Sequence, residues 1–192
     1  MKDWQFYPLI IAFVVAMVAY ALSLANYDDV ARTSGLTLQG ESLSGLYAAE
    51  GLSYSIASEM NNPAAYAVLS AHVSREKAPK SAGIFVTLGP KDEKAFAGQL
   101  LRITVTARAG RTAPLDQFEI AYFTAGAGDS AWQTFVLTDE FADYAFEYTP
   151  NFPNGDPGND YVGIWPDVDG EERTVEVKAI SIEILPNATQ NQ

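Results

Sequence analysis

Apolar and polar residues alternate with a period of two along most of the chain after residue 41. In residues 101–108, LRITVTAR, every second position is apolar and the positions between them are Arg or Thr. Phe118–Tyr122 and Tyr144–Tyr148 repeat the alternation. Because successive side chains of a strand point to opposite faces, each segment predicts a strand with one face in a core and one in water.

Further apolar segments are separated from one another by turns rich in Gly, Pro, Asn and Asp. They are Tyr47–Ile56, Ala65–His72, Gly83–Leu88, Trp132–Leu137, Tyr161–Ile164 and Thr174–Leu185. No segment after residue 41 shows the 3.6-residue period of an amphipathic helix. Eight or nine strands at this spacing predict an all-β fold, a β-sandwich.

The last predicted strand changes phase within its length. Val175 and Val177 share one parity, whereas Ile180, Ile182 and Ile184 share the other. A β-bulge shifts the pleat by one residue and so moves the following side chains to the other parity. The pattern therefore predicts a bulge between Val177 and Ile180.

A different pattern precedes the strands, because Phe6–Ala25 carries no charged residue. With a rise of about 1.5 Å per residue, a helix of this length is roughly 30 Å long and matches the hydrocarbon core of a bilayer. Trp4, Tyr7 and Tyr20 fall near the two predicted interfaces, where aromatic residues are common. The run predicts a single transmembrane helix in contact with the lipid bilayer through residues 6–25.

The flanking charges predict the orientation of this helix. Lys2 precedes it and Asp28 and Asp29 follow it, which favours a cytoplasmic N-terminus. A cleaved signal peptide is the alternative, because Ser23-Leu24-Ala25 places small residues where signal peptidase reads them. A single lysine before an apolar run longer than the usual signal-peptide core favours a retained anchor.

The predicted organisation has four parts with one core. They are an anchor over residues 1–25, a polar stalk over 26–41, a β-sandwich domain over 42–186 and a disordered tail over 187–192.

Small residues recur on one side of the predicted anchor, at Ala12, Ala16, Ala19 and Ser23. Small side chains at three- and four-residue intervals allow another helix to approach closely. The alternative is that alanine is simply frequent in such segments. The spacing leaves open a lateral partner in the membrane.

The composition narrows the choice of partners and compartment. The chain has 24 Asp+Glu against 12 Lys+Arg, a formal net charge of −12, and no cysteine. The negative charge repels phosphate backbones and anionic headgroups, which argues against nucleic acid as a partner. An exported domain without disulfides is more typical of the bacterial periplasm than of eukaryotic secretion. We therefore expect a single-pass protein of the bacterial inner membrane with a periplasmic domain.

The order of strands and aromatic residues from Phe96 to Leu185 is similar to that of a known family. An ARA-ending strand at 107–109 is followed by Trp132 and an apolar strand, then by Phe141–Tyr148, Tyr161-Val162-Gly163-Ile164 and a closing apolar strand. This order resembles the jelly-roll carbohydrate-binding modules of the galactose-binding-like superfamily. The resemblance implies a jelly-roll β-sandwich that binds a glycan.

The same resemblance implies a structural calcium ion, held in the family by an acidic pair in the last strand. Lys178-Ala179 stands at the corresponding place in this chain. This departure puts the inherited calcium site in doubt, and we expect no cofactor.

Aromatic and acidic side chains are the candidates for glycan binding, because a sugar ring has an apolar C–H face and a rim of donors and acceptors. The candidate ligand-binding residues are Trp165, Tyr122, Trp132, Tyr54, Tyr66, Asp160 and Asp167. The alternative for each aromatic residue is packing in the core. Trp165 lies in a Gly-Ile-Trp-Pro-Asp turn, which favours exposure, so it is the preferred candidate.

The acidic turn Asp167-Val168-Asp169-Gly170 has the spacing that opens a calcium loop. Asp167, Asp169 and Glu171 are its candidate ligands, since a hard cation prefers six to eight oxygens. The 12-residue pattern with a closing Glu is absent, so solvated acidic turns are the alternative.

No catalytic motif accompanies these residues. His72 is the single histidine, and neither a Gly-x-Ser-x-Gly motif nor a histidine cluster is present. The sequence favours a non-catalytic binding module for a glycan, such as an envelope polysaccharide. The alternative is an accessory subunit of a larger membrane complex of transport, respiratory or photosynthetic type, with the sandwich as a protein-contact surface.

Overall fold

A computed structural model describes residues 13–18, 35–59, 62–124, 126–152 and 158–186. The chain divides into two compact units, Met1–Gly35 and Leu36–Gln192. In the first unit, residues 13–18 are helical and expose Phe13, Val14, Val15, Met17 and Val18. Among the described residues, no helix has the length and apolar character needed to cross a membrane.

Strands are the main secondary structure of the described part of the second unit. Its described residues form β1 (Leu36–Gln39), β2 (Tyr47–Ala48), β3 (Leu52–Glu59), β4 (Asn62–Ala71), β5 (Ile84–Leu88), α1 (Pro90–Phe96), β6 (Leu101–Ala109), β7 (Gln117–Thr124), β8 (Gly128–Asp129), β9 (Gln133–Val136), β10 (Ala142–Tyr148), β11 (Asp160–Trp165) and β12 (Thr174–Ile184). All of the paired strands are antiparallel. The all-β prediction is confirmed in its coarse form, as a sandwich of two antiparallel sheets.

The two sheets enclose one core. The first sheet has the order β10-β6-β12-β4-β3, with β1 beside β12. The second has the order β2-β5-β11-β7-β8, with β9 beside β7. The apolar side chains of alternating positions face each other between the sheets and are almost fully buried, among them Leu69, Ile103, Val105, Ile164 and Ile180.

The predicted bulge in the last strand is confirmed. Along β12 the pairing with β6 shifts between Val177 and Ala179, so Lys178 is the extra residue. The shift coincides with a change of partner, because β4 pairs with residues 174–177 and β1 pairs with residues 179–182. The bulge therefore brings both Val177 and Ile180 into the core.

Two predictions are wrong at the level of single elements. The end of the predicted stalk belongs to the sandwich, since Leu36–Gln39 forms β1 and both of its leucines pack against the core. Pro90–Phe96 forms a helix although no helix was predicted there. This helix spans only seven residues, begins with a proline at its first turn and buries only one side, so it is too short for a helical period to appear. Residues 187–192, the predicted tail, lie outside the described residues.

Candidate functional site

Five aromatic side chains lie on the outer face of the second sheet, and we call them the aromatic strip. Its members are Tyr47, Phe85, Tyr161, Phe123 and Trp132. Tyr47 is 61% exposed and the other four are partly exposed. The strip crosses β2, β5, β11 and β7 and ends at the loop before β9.

The alternation of each strand places these rings on one face. In β5, Phe85 stands between Ile84 and Val86, which point into the core. In β11, Tyr161 stands between the buried residues Asp160 and Val162. Because the register pairs Tyr47 with Phe85 and Tyr161 with Phe123, the outward rings of neighbouring strands come side by side.

The rings contact one another in two groups. Tyr47 and Phe85 are stacked at 5.8 Å between centroids, and Tyr161 meets Phe85 edge-on at 5.3 Å. Phe123 meets Trp132 edge-on at 5.4 Å. These contacts fix the rings as a preorganised apolar surface.

Gly163 lies between the two groups of rings, because the register pairs it with Phe85 on one side and Ala121 on the other. A Cβ at this position would collide with the carbonyl oxygen of Ala82 and lie 3.0 Å from Cε2 of Phe123. Only a glycine therefore lets the segment before β5 and the Phe123 ring approach the sheet here.

We expect Gly163→Ala to lower the free energy of unfolding by about 1–3 kcal/mol, because the added methyl group forces the backbone at Ala82 to move. Gly45→Ala is the matched control, since a Cβ there meets nothing within 4 Å. Chemical denaturation of both variants measures the difference. Equal stabilities of the two variants would show that the contact at Gly163 is relaxed in solution.

Trp132 is the one predicted ligand-binding residue that lies in the aromatic strip. Trp165 also lies on the outer face of the second sheet, but its side chain is completely buried. It packs edge-on against Trp132 at 6.1 Å, close to Gly83, and its indole Nε1–H donates to the carbonyl oxygen of Asp167 at 2.9 Å. The expectation that this turn exposes Trp165 is wrong, because neighbouring segments cover the ring.

Tyr122 and Asp160 point into the sandwich instead of toward solvent. Both are fully buried, and the Tyr122 hydroxyl donates to Asp160 Oδ2 at 2.6 Å. Burial, followed by the hydrogen bond to this carboxylate, raises the pKa of the Tyr122 phenol far above its ordinary value. Neither side chain can contact a glycan on the outer face of the second sheet.

Tyr54 and Tyr66 belong to the first sheet, away from the strip. The Tyr54 hydroxyl donates to the carbonyl oxygens of Leu46 at 2.7 Å and Ser44 at 3.0 Å. The Tyr66 ring is nearly buried against Phe141 and the guanidinium of Arg108. The structure does not bring these two tyrosines together with Trp132.

The acidic turn after β11 is organised around Arg173. The buried Asp167 carboxylate accepts backbone N–H groups of Asp169, Glu171 and Arg173, and it pairs with the Arg173 guanidinium at 2.9 Å. Asp169 and Glu171 pair with the same guanidinium at 2.7 and 3.6 Å. Arg173 thus places a positive charge beside the three acidic residues that are the candidate calcium ligands.

No cluster of three acidic or histidine side chains suited to a metal ion occurs within the described ranges. Of the predicted helix-contact positions, only Ala16 lies in the described segment 13–18, whereas Ala12, Ala19 and Ser23 lie outside it.

Four members of the strip were missed by the sequence analysis as ligand-binding candidates: Tyr47, Phe85, Phe123 and Tyr161. For Phe85, Phe123 and Tyr161 a signal was present, since each has the opposite parity to buried core residues of its strand. To use this signal, one must know which face of each strand is turned toward the core. The sequence of a single strand does not give that information.

Comparison with known proteins gives the fold alone. No family model matches the sequence, and no curated protein matches it. The tandem CBM22-1–CBM22-2 domain of Paenibacillus barcinonensis Xyn10C aligns at 11% identity with a TM-score of 0.57, covering 80% of this chain and 46% of that chain. The C-terminal family 22 carbohydrate-binding module of Clostridium thermocellum Xyn10B aligns at 12% identity with a TM-score of 0.53. This alignment covers 80% of this chain and 94% of that chain.

A second Clostridium thermocellum structure contains the CBM22-1 and GH10 modules of Xyn10B complexed with xylohexaose. It aligns at 11% identity with a TM-score of 0.51, covering 78% of this chain and 27% of that chain. The chain therefore spans less than half of the Paenibacillus tandem domain and about a quarter of this two-module structure. It shares the β-sandwich fold of carbohydrate-binding modules.

Proposed function

We propose that this protein is a non-catalytic glycan-binding module and that the aromatic strip is its binding surface. The observation that carries the proposal is the row of five rings on one outer sheet face, with Tyr47 61% exposed. The shared fold with carbohydrate-binding modules supports it.

The chemistry of the strip suits a sugar chain. Aromatic faces pack against the apolar C–H face of a pyranose ring, and the strip crosses four strands, a distance of about 15 Å at the usual strand spacing. Polar groups accompany the rings, since the register places Thr87 beside Tyr161 and the exposed Asp129 beside Phe123. These groups can hydrogen-bond to sugar hydroxyls.

The charge of the protein narrows the class of glycan. A net charge of −12 opposes binding of polyanionic chains such as uronic acid polymers. The strip itself presents apolar rings and carries no cationic member. We therefore expect neutral polysaccharides to be the ligands.

Removing one central ring should abolish most of the affinity. For Tyr161→Ala and Phe85→Ala we expect the association constant to fall about 10-fold or more, as for an aromatic residue at the centre of an interface. Affinity electrophoresis and calorimetry against neutral glycans, with xylohexaose among them, measure the change. Phe152→Ala is the matched control, because this ring is 72% exposed but lies outside the strip, over Gly98.

Two results would contradict the proposal. One is wild-type affinity in both strip variants, and the other is a complete absence of retardation on neutral polysaccharides. In the second case, co-purification with stoichiometric membrane proteins after mild detergent extraction would favour the accessory-subunit alternative.

The location is a separate proposal. We infer that residues 6–25 anchor the protein in the bacterial inner membrane, with a cytoplasmic N-terminus and a periplasmic sandwich. The uncharged apolar run supports this, as do the exposed apolar side chains of the helical residues 13–18. The full chain should stay in the membrane pellet at alkaline pH and leave it with detergent. Release without detergent, or a mature chain that starts at Asn26, would refute the anchor.

A further inference from the structure

Glu93 is a buried acidic residue that the proposed function does not use. It lies on α1, directly after β5, and its side chain is 1% exposed. Both of its carboxylate oxygens are buried and have no hydrogen-bond partner within the described part of the chain. Burying a carboxylate without a partner is costly, so a proton or a cation is expected beside it.

A second carboxylate occupies the same end of the sandwich. Asp160 begins β11 and pairs in register with Leu88, the last residue of β5 before α1. Its Oδ2 accepts the hydrogen bond from Tyr122, and the charges of both Asp160 and Glu93 contribute to the raised pKa of that phenol. The register and the chain connection thus put Asp160 and the helix that carries Glu93 at the same end of the sandwich.

Uncharged hydroxyl groups lie at the same end of the sandwich as Asp160 and Glu93. Thr124 lies two positions after Tyr122 on the same face of β7, and its buried hydroxyl lies beside the Tyr148 hydroxyl. The half-buried Tyr148 ring lies 5.6 Å from the Tyr122 ring. No described lysine or arginine pairs with Glu93, in contrast to the Asp167 turn, where Arg173 neutralises the acids.

We propose that Glu93 and Asp160 bind a hard divalent cation of the calcium class at this end of the sandwich. Ca²⁺ takes six to eight oxygen ligands, so the two carboxylates are joined by the Thr124 hydroxyl, backbone carbonyl groups and water. Two carboxylates in place of three or four give a low-affinity site, with a dissociation constant of about 10⁻⁴–10⁻³ M, as in extracellular modules. The negative charge of the whole protein raises the local cation concentration.

Thermal unfolding of the full chain in detergent tests the site. After chelator treatment, 10 mM CaCl₂ should raise Tm by about 3–10 °C, because a ligand that binds only the folded state stabilises it. Terbium should replace calcium and emit on excitation of Tyr122 and Tyr148. Glu93→Gln keeps the shape of the side chain but should abolish both responses, and Asp160→Asn should weaken them.

Asp169→Asn is the matched control, because it removes an exposed acid from the Arg173 turn and should leave both responses intact. An unchanged Tm with calcium, or an equal rise in Glu93→Gln, would overturn the proposal. Glycan binding is independent of this outcome, since Glu93 lies outside the aromatic strip.

Discussion

Replacing Glu176 by alanine should lower the free energy of unfolding by about 3–5 kcal/mol. Glu176 Oε2 lies 2.7 Å from Arg108 Nε and 2.6 Å from its Nη2, and the two side chains are only 5% and 6% exposed. The guanidinium lies under the Phe141 ring, 4.2 Å from its centroid. Without Glu176 the buried guanidinium loses the carboxylate that contacts its Nε and Nη2, and breaking a buried ion pair by removing one member is costly.

The same protein offers a matched exposed pair. Arg102 Nη2 and Glu147 Oε1 are 2.7 Å apart, but both side chains are 47% exposed. Glu147→Ala should therefore cost less than about 1 kcal/mol. Replacing both members of the buried pair, as Arg108→Met with Glu176→Leu, should recover part of the loss, because the guanidinium is removed together with the Glu176 carboxylate. Denaturant titration measures the free energy of unfolding of the three variants. A loss of stability in Glu176→Ala no larger than that in Glu147→Ala would contradict the argument.

The buried pair also shows where strand alternation stops being informative. Arg108 and Glu176 stand at positions that alternate with core residues, and the register confirms that they point away from the core. Alternation predicts a solvated face at such positions. Their burial depends on Tyr66 of β4 and on Phe141, the residue before β10, because both rings pack against the Arg108 guanidinium. Neither strand contains that information by itself.

The strands themselves were predictable because half-buried strands have a period of two. The bulge at Lys178 was predictable for the same reason, since a change of parity has no other simple cause within one strand. Strand β1 was missed because four residues with two apolar positions do not stand out beside a polar segment. Strand order and sheet partners came only from the structure, because they depend on contacts distant in sequence.

The candidate site divides in a similar way. The sequence indicated that aromatic residues on a sandwich are the groups to examine, and Trp132 lies in the aromatic strip. It did not show which parity of each strand faces outward, so Tyr122 was chosen in β7 where the adjacent Phe123 faces solvent. Trp165 shares the outer face with the strip but is covered by neighbouring segments. A turn-like sequence therefore does not predict that the side chains within it are exposed.

Trp165→Ala should accordingly lower stability and leave the binding surface in place. Truncating a fully buried tryptophan costs about 3–5 kcal/mol through lost contacts and the cavity that remains. The variant also loses the hydrogen bond from the indole to Asp167, which helps to hold the Arg173 turn. Denaturant titration measures this loss.

Comparison with Tyr161→Ala separates packing from recognition on the same strand. Tyr161 is partly exposed in the strip, so its truncation should reduce glycan affinity while changing stability much less than Trp165→Ala does. For Trp165→Ala, the affinity of the folded fraction should stay within a few-fold of wild type, because the five strip rings remain. A Trp165→Ala protein with wild-type stability and no glycan affinity would reverse the assignment and place Trp165 in the binding surface.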